Sequence, residues 1–203
     1  MSSTVQDHGS RFEALKRALL VYHDVAQGSP ATLDLSTQAA VSVVLRGTND
    51  LDLLMIKRAH FDHDPWSGQM ALPGGRRDDT DANLLQTAIR ETMEETALDL
   101  GQGAQHLGQL KDLQPSSVQL PKLTITPFVF VVGPKTEASV ASPEIDQIFW
   151  VSIDDLRKRD RNCSLEIPMP DGQKQEFPCY IVEGRPVWGL TFRIVSELLQ
   201  VLT

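Results

Sequence analysis

The chain has 203 residues, enough to bury a full core within one domain, and carries 27 acidic against 19 basic side chains for a net charge of -8. That balance leaves no basic stripe for nonspecific nucleic-acid binding, and no apolar run approaches a membrane span. With a polar N-terminus, Met1-Ser2-Ser3-Thr4, the expectation is a soluble cytoplasmic protein without nucleic-acid or membrane partners. Its two cysteines have no metal-site spacing. Cys163 and Cys179 lie at nearly mirrored distances from the hairpin signal Asp171-Gly172, so a reduced cross-strand pair is expected.

In chain order, Ser10-Arg11-Phe12-Glu13 is a capping-box sequence, and Phe12, Leu15, Leu19 and Tyr22 follow amphipathic spacing. This predicts a helix within an extension, residues 1–37, that packs on the domain or forms a homodimer contact; residues 27–37 read as a loop. Stretches rich in β-branched, leucine or aromatic residues predict strands at Ala39–Leu45, Leu51–Lys57, Leu123–Val132 and Gln147–Val151, the first two joined by a turn at Gly47-Thr48-Asn49-Asp50. Helices are predicted at Ala82–Thr96, Ile153–Lys158 and Leu190–Leu202. Strands punctuated by helices argue for a sheet covered on both faces.

The chemistry concentrates in Gly74-Gly75-Arg76-Arg77-Asp78-Asp79-Thr80-Asp81 and in Arg90-Glu91-Thr92-Met93-Glu94-Glu95. At about 100° per helical residue, Glu91, Glu94 and Glu95 fall within an arc of about 100°. Like charges that close repel, and Arg90, four residues before Glu94, offsets only part of this. A hard divalent cation with sites left for water and phosphate oxygens, Mg²⁺ or Mn²⁺, removes the conflict. Leu85, Ala88, Ile89 and Thr92 form the opposing, packed face, and the Gly74-Gly75 turn lets the main chain approach a ligand. Against this stands a solvated acidic helix with Asp81 or Thr80 as N-cap.

Gly75 to Leu98 resembles the Nudix box, with Arg90-Glu91 and Glu94-Glu95 at its core; Asp81 stands where the first Glu is usual, one extra residue precedes Arg90, Thr92 replaces an aliphatic residue and Ala97 a Gly. The flanking segments Leu54-Met55-Ile56-Lys57-Arg58-Ala59, Gly68 to Gly75 and Trp188-Gly189-Leu190-Thr191 are similar to those of coenzyme A pyrophosphatases. The resemblance implies an α/β fold, an α/β/α sandwich with a mixed β-sheet between helices, over residues 38–203. It implies Mg²⁺ or Mn²⁺ held by Glu91, Glu94, Glu95 and the Gly74 carbonyl, with Arg90 orienting the acids. Glu91 is the catalytic base, or else Glu144, which precedes a strand where Nudix proteins often carry an acid. Arg58, Arg76 and Gly75 are the substrate-binding candidates. The small-molecule nucleotide implied is coenzyme A or acyl-CoA, cleaved to 3′,5′-ADP and (acyl-)phosphopantetheine. The alternatives are an ADP-ribose, nucleotide-sugar or dinucleotide pyrophosphatase, and a noncatalytic nucleotide-sensing domain.

Outside the box, Lys57 and Arg77 are further candidates for phosphate contacts. Asp64 to Gln69 is either site lining or a rigid turn, residues 114–122 either a substrate loop or a connector, and His60 and His63 are loop or substrate-edge residues.

Overall fold

The structure, a computed structural model, describes residues 12–13, 15–19, 35–48, 50–62, 66–115, 123–158, 163–168 and 172–202. Helix α1, described at residues 12–13 and 15–19, precedes a 3-10 turn at Leu35–Thr37. There follow β1 (Gln38–Gly47), β2 (Leu51–Arg58), β3 (Met70–Ala71), β4 (Gly74–Arg76), α2 (Leu84–Thr96), β5 (Gln105–Gln109) and β6 (Thr124–Val132). The chain continues through β7 (Ile145–Ser152), α3 (Ile153–Lys158), β8 (Cys163–Pro168), β9 (Lys174–Val182), β10 (Arg185–Val187) and α4 (Gly189–Val201).

Seven strands form one mixed sheet in the order β3-β2-β1-β6-β5, with β4 paired to β1 and β7 to β2. Among the described residues only β1 and β6 run parallel, in register from Gln38 opposite Thr124 to Arg46 opposite Val132. Both are central and buried on both faces, which is why they read as near-continuous apolar runs rather than as alternation. Alternate β1 residues serve different layers. Ala40 and Val44 join Ala88 of α2, while Val43 and Leu45 join Leu156 of α3 and Ile194 and Leu198 of α4. The sheet is thus covered on both faces, as predicted. Among the described residues no helix is long and apolar enough to cross a membrane.

Leu15 and Leu19 of helix α1 are both buried in the larger core. Gly108 makes room for the helix: a Cβ there would lie 3.0 Å from that of Leu19, and the β5–β6 register shifts at this point. Ser10, Arg11 and Tyr22 of the predicted helix lie outside the described residues.

The remaining predicted elements match within a few residues; the short strands β3, β4, β5 and β10 were not predicted, and β8 and β9 were foreshadowed only by the Asp171-Gly172 hairpin signal. The Gly74-Gly75 segment, expected as a turn, is strand β4, with Gly74 at φ 151°. A Cβ there would stand 2.3 Å from the Ala40 carbonyl oxygen, so glycine permits this close pairing to β1. The expectation of reduced cysteines is overturned. In the β8–β9 hairpin Cys163 stands directly opposite Cys179, Cα atoms 5.3 Å apart, and the two form a disulfide. The antiparallel register delivers both sulfurs to the same side of the ladder.

Candidate active site

Helix α2 begins later than predicted. Asn83, extended at φ -162°, is the N-cap and accepts the Gln86 amide, so neither Asp81 nor Thr80 caps it. Asp81 is instead buried, 8 % exposed, and accepts four donors: the Asp78 amide (3.0 Å), the Thr87 hydroxyl (2.9 Å), and Nε and Nη2 of Arg90 (3.0 and 2.9 Å). The Arg90 guanidinium holds the Asp81 carboxyl far below the usual carboxylate range, against the opposing effect of burial. This fork-to-carboxylate pair fixes the plane of Arg90. Its remaining donors reach the Arg76 carbonyl (3.2 Å), Glu91 Oε1 (2.9 Å) and Glu94 Oε2 (3.1 Å).

The helix docks on β1 through hydroxyls as well as methyl groups. Ser42 Oγ donates to the Ala88 carbonyl (3.1 Å), and Thr92 Oγ1 lies 2.7 Å from both Ser42 Oγ and that carbonyl; Ser42, Ala88 and Thr92 are fully buried. Thr92 therefore substitutes for an aliphatic residue because Ser42 answers it across the interface. Ile89, expected on the buried face, is only partly buried.

The three acids do not share one environment, as their common arc suggested. Glu94 is exposed at 57 %, Glu91 at 18 %, and Glu95 is buried at 4 %. Glu95 Oε2 accepts the Gly74 amide at 2.9 Å, yet burial still pushes its carboxyl up to about 8, and the charges of Glu91, Arg58 and Glu144 also reach it. Burial likewise raises the Glu91 carboxyl, with Arg90 opposing and Glu94 and Glu144 reinforcing the rise. Gly75 is the floor under Glu91, since a Cβ there would lie 2.5 Å from the Glu91 carboxylate.

A strap from Ser139 to Ile145 carries Glu144 to these acids. Ser139 and Ala141 donate their amides to the Thr96 and Glu95 carbonyls (2.9 and 3.1 Å), satisfying the end of α2. Ser142 then turns the chain by accepting the Glu144 amide on its hydroxyl (3.2 Å) and the Ile145 amide on its carbonyl (3.1 Å), and the Glu144 carbonyl accepts from Ala59 at 2.7 Å.

Thus Gly74, Gly75, Arg90, Glu91, Glu95, Glu144 and Arg58 come together around the second half of α2, with Glu94 at the rim. Arg76 joins through its carbonyl. The other cations are committed elsewhere. Arg77 donates to Gln38 Oε1 and to the carbonyls of Asp81 and Ala82, tying the loop to β1, and Lys57 is paired with Asp146. His60 lies against Gly68, while His63, Asp64, Pro65 and residues 116–122 lie outside the described residues. Among the described residues no three acidic, histidine or cysteine side chains converge as a ready metal-ligand set, because Glu91 and Glu94 are turned onto Arg90. Asp81 was visible in sequence as a variant of the usual Glu or as a helix cap; its burial and four donors were not.

The NUDIX domain profile matches residues 36–168. An uncharacterized Nudix hydrolase NudL of Pectobacterium atrosepticum is 30 % identical over 147 residues, covering 71 % of this chain and 72 % of that protein. An uncharacterized protein of Schizosaccharomyces pombe is 34 % identical over 132 residues, 64 % of this chain, which spans only 40 % of that protein's length. Among solved structures, a MutT/nudix family protein from Enterococcus faecalis aligns with 99 % of this chain and 73 % of its own, at 17 % identity and a TM-score of 0.49. The NUDIX domain of Shewanella oneidensis NrtR, complexed with ADP ribose, aligns over 67 % of this chain and 85 % of its own, at 18 % identity and a TM-score of 0.46. With the profile covering well over half of its residues, the chain belongs to the Nudix family of hydrolases.

Proposed function

We propose that this chain is a divalent-metal-dependent pyrophosphohydrolase acting on a nucleoside diphosphate linked to a second group, through a catalytic domain spanning residues 38–203. The observation that carries the reading is the buried Glu95. Its carboxyl is buried close enough to Glu91 and Glu144 to feel their charges; burial first and those two acids second raise it, and a cation bound among the three would offset the cost of ionising it. Nudix hydrolases generally use divalent metal ions, and the donors here suit one: the carboxylates of Glu91, Glu94 and Glu95 and the Gly74 carbonyl are hard oxygens. When bound, Mg²⁺ or Mn²⁺ supplies charge neutralisation at the pyrophosphate and a more acidic attacking water.

The protein's own residues do the positioning. Arg90, locked by Asp81, holds Glu91 and Glu94 on the substrate side of the helix, and Gly75 leaves space for the Glu91 carboxylate. Water attacks one phosphorus, the bridging P–O bond breaks, and the water's proton passes to a carboxylate. Glu91 is the proposed base, and Glu144 is close enough in charge to share the role.

For the substrate, we propose coenzyme A or its acyl esters, giving 3′,5′-ADP and (acyl-)phosphopantetheine. Support comes from the segments flanking the box and from Arg58, whose charge reaches Glu95 and which is the candidate reader of the 3′-phosphate, with Arg76 second. The test is turnover of coenzyme A, dephospho-coenzyme A, ADP-ribose, nucleotide sugars and dinucleotides with Mg²⁺ or Mn²⁺ and with chelator. Faster hydrolysis of ADP-ribose or nucleotide sugars than of any coenzyme A compound overturns the substrate assignment, and hydrolysis surviving chelation overturns the metal assignment. Arg58→Ala should lower kcat/KM for coenzyme A by about ten- to a hundredfold and spare dephospho-coenzyme A.

A further inference from the structure

Beside the acids, the described residues after β2 are joined by backbone hydrogen bonds. The Arg58 amide donates to the Gln69 carbonyl (3.0 Å), Gly68 to Ala59 (3.3 Å), Gln69 to Trp66 (3.2 Å) and Ala59 to Glu144 (2.7 Å). The Phe61 amide donates to Ser67 Oγ at 2.9 Å, and His60 Nδ1 lies 3.4 Å from the same hydroxyl. The His60 ring rests on Gly68, at φ 70°, where a Cβ would lie 2.5 Å from His60 Cε1. Imidazole, hydroxyl and glycine therefore meet at the backbone that enters Phe61.

Phe61 is 47 % exposed, the one aromatic among the exposed large hydrophobics of the described residues. A scattered exposed leucine or valine needs no explanation. An exposed aromatic ring whose own amide is tied to Ser67, two residues beyond a direct backbone bond to Glu144, offers a contact surface beside the acids. We infer that Phe61 is a substrate-binding residue of the site, a platform on which the nucleobase of the substrate stacks while its diphosphate lies at Glu91, Glu94 and Glu95. This deepens the pyrophosphohydrolase reading and rests on it. Every substrate class proposed above carries a base, and stacking tolerates any of them because each offers a π face.

The experiment is calorimetric binding, with Mg²⁺, of ADP and of inorganic pyrophosphate to wild type, Phe61→Ala and Phe61→Tyr. Phe61→Ala should weaken ADP binding about tenfold, Phe61→Tyr should stay within about twofold of wild type, and pyrophosphate binding should be equal in all three proteins. The exposed position makes misfolding no explanation of a loss that Phe61→Tyr rescues. Unchanged ADP affinity in Phe61→Ala overturns the platform while leaving the hydrolase reading intact. Equal weakening of ADP and pyrophosphate also overturns it, since the loop would then act on the phosphates. If wild type binds neither ligand with Mg²⁺ or with Mn²⁺, both readings fall.

Discussion

Gly74 donates its backbone amide to Glu95 Oε2 across 2.9 Å, joining the strand that opens the box to the buried acid that closes it. One hydrogen bond does not offset the burial of that carboxylate, so folded Glu95 keeps its proton up to about pH 8, against an ordinary value of 4.5. Across that window the native state binds more protons than the unfolded chain, so the stability of the metal-free protein falls as pH rises from about 4.5 to about 8. In chelator, Glu95→Gln should flatten this dependence and raise Tm at pH 8, by about 2 to 4 °C for each kcal/mol recovered. A steep wild-type decline that persists unchanged in Glu95→Gln would assign it to another group.

Glu94→Gln and Glu95→Gln should each lower kcat at least about a hundredfold with the fold retained, since each removes a proposed charged ligand. Gly75→Ala should produce a comparable loss by a different route: its Cβ would occupy the place of the Glu91 carboxylate, 2.5 Å away. Steady-state kinetics with circular dichroism on all three variants checks this, and near-normal turnover in Gly75→Ala would show that Glu91 need not sit where it does.

Asp81→Ala leaves Arg90 without its two-pronged partner and should cost about 3 kcal/mol, the lower end for a buried pair because Arg90 is partly exposed. Since the Asp81 carboxyl is held below its ordinary 3.8, its stabilisation is present above that pH and is lost as acid protonates it. Denaturant melts at pH 7 and pH 3 should therefore show a smaller penalty for Asp81→Ala at the lower pH.

Ser42 and Thr92 offer a double-mutant cycle. Ser42→Ala or Thr92→Val alone should destabilise by about 1 to 3 kcal/mol by disturbing a buried hydroxyl network, and the double variant should cost less than the sum because both partners leave together. Strict additivity in urea melts would dissolve the coupling.

Ala97, where the pattern carries glycine, sits in the left-handed region at φ 54° and donates its amide to the Met93 carbonyl as the C-cap of α2. That conformation strains a side chain, so Ala97→Gly should stabilise the protein by about 0.5 to 1 kcal/mol. A thermal melt at or below the wild-type midpoint would mean the surrounding contacts already relieve the strain.

Local spacing by itself determined helix α2, the acid stripe of Glu91, Glu94 and Glu95, the central strands and their two covering layers, because period and turn chemistry are properties of neighbouring residues. The Nudix resemblance, too, was legible in one contiguous segment. Only the tertiary structure decided that Glu95 is buried while Glu94 is exposed, since that depends on Gly74, 21 residues away. It alone made Asp81 the anchor of Arg90 rather than a helix cap, matched Thr92 to Ser42 across 50 residues, and joined Cys163 to Cys179 in a disulfide where the hairpin signal had given only their cross-strand pairing. The same pattern holds for strands β3 and β4, too short to carry a period and defined only by the partners β2 and β1 offer them. Burial and pairing are fixed by which distant segments meet, and a helical arc of about 100° cannot say which of its three acids the sheet edge will cover.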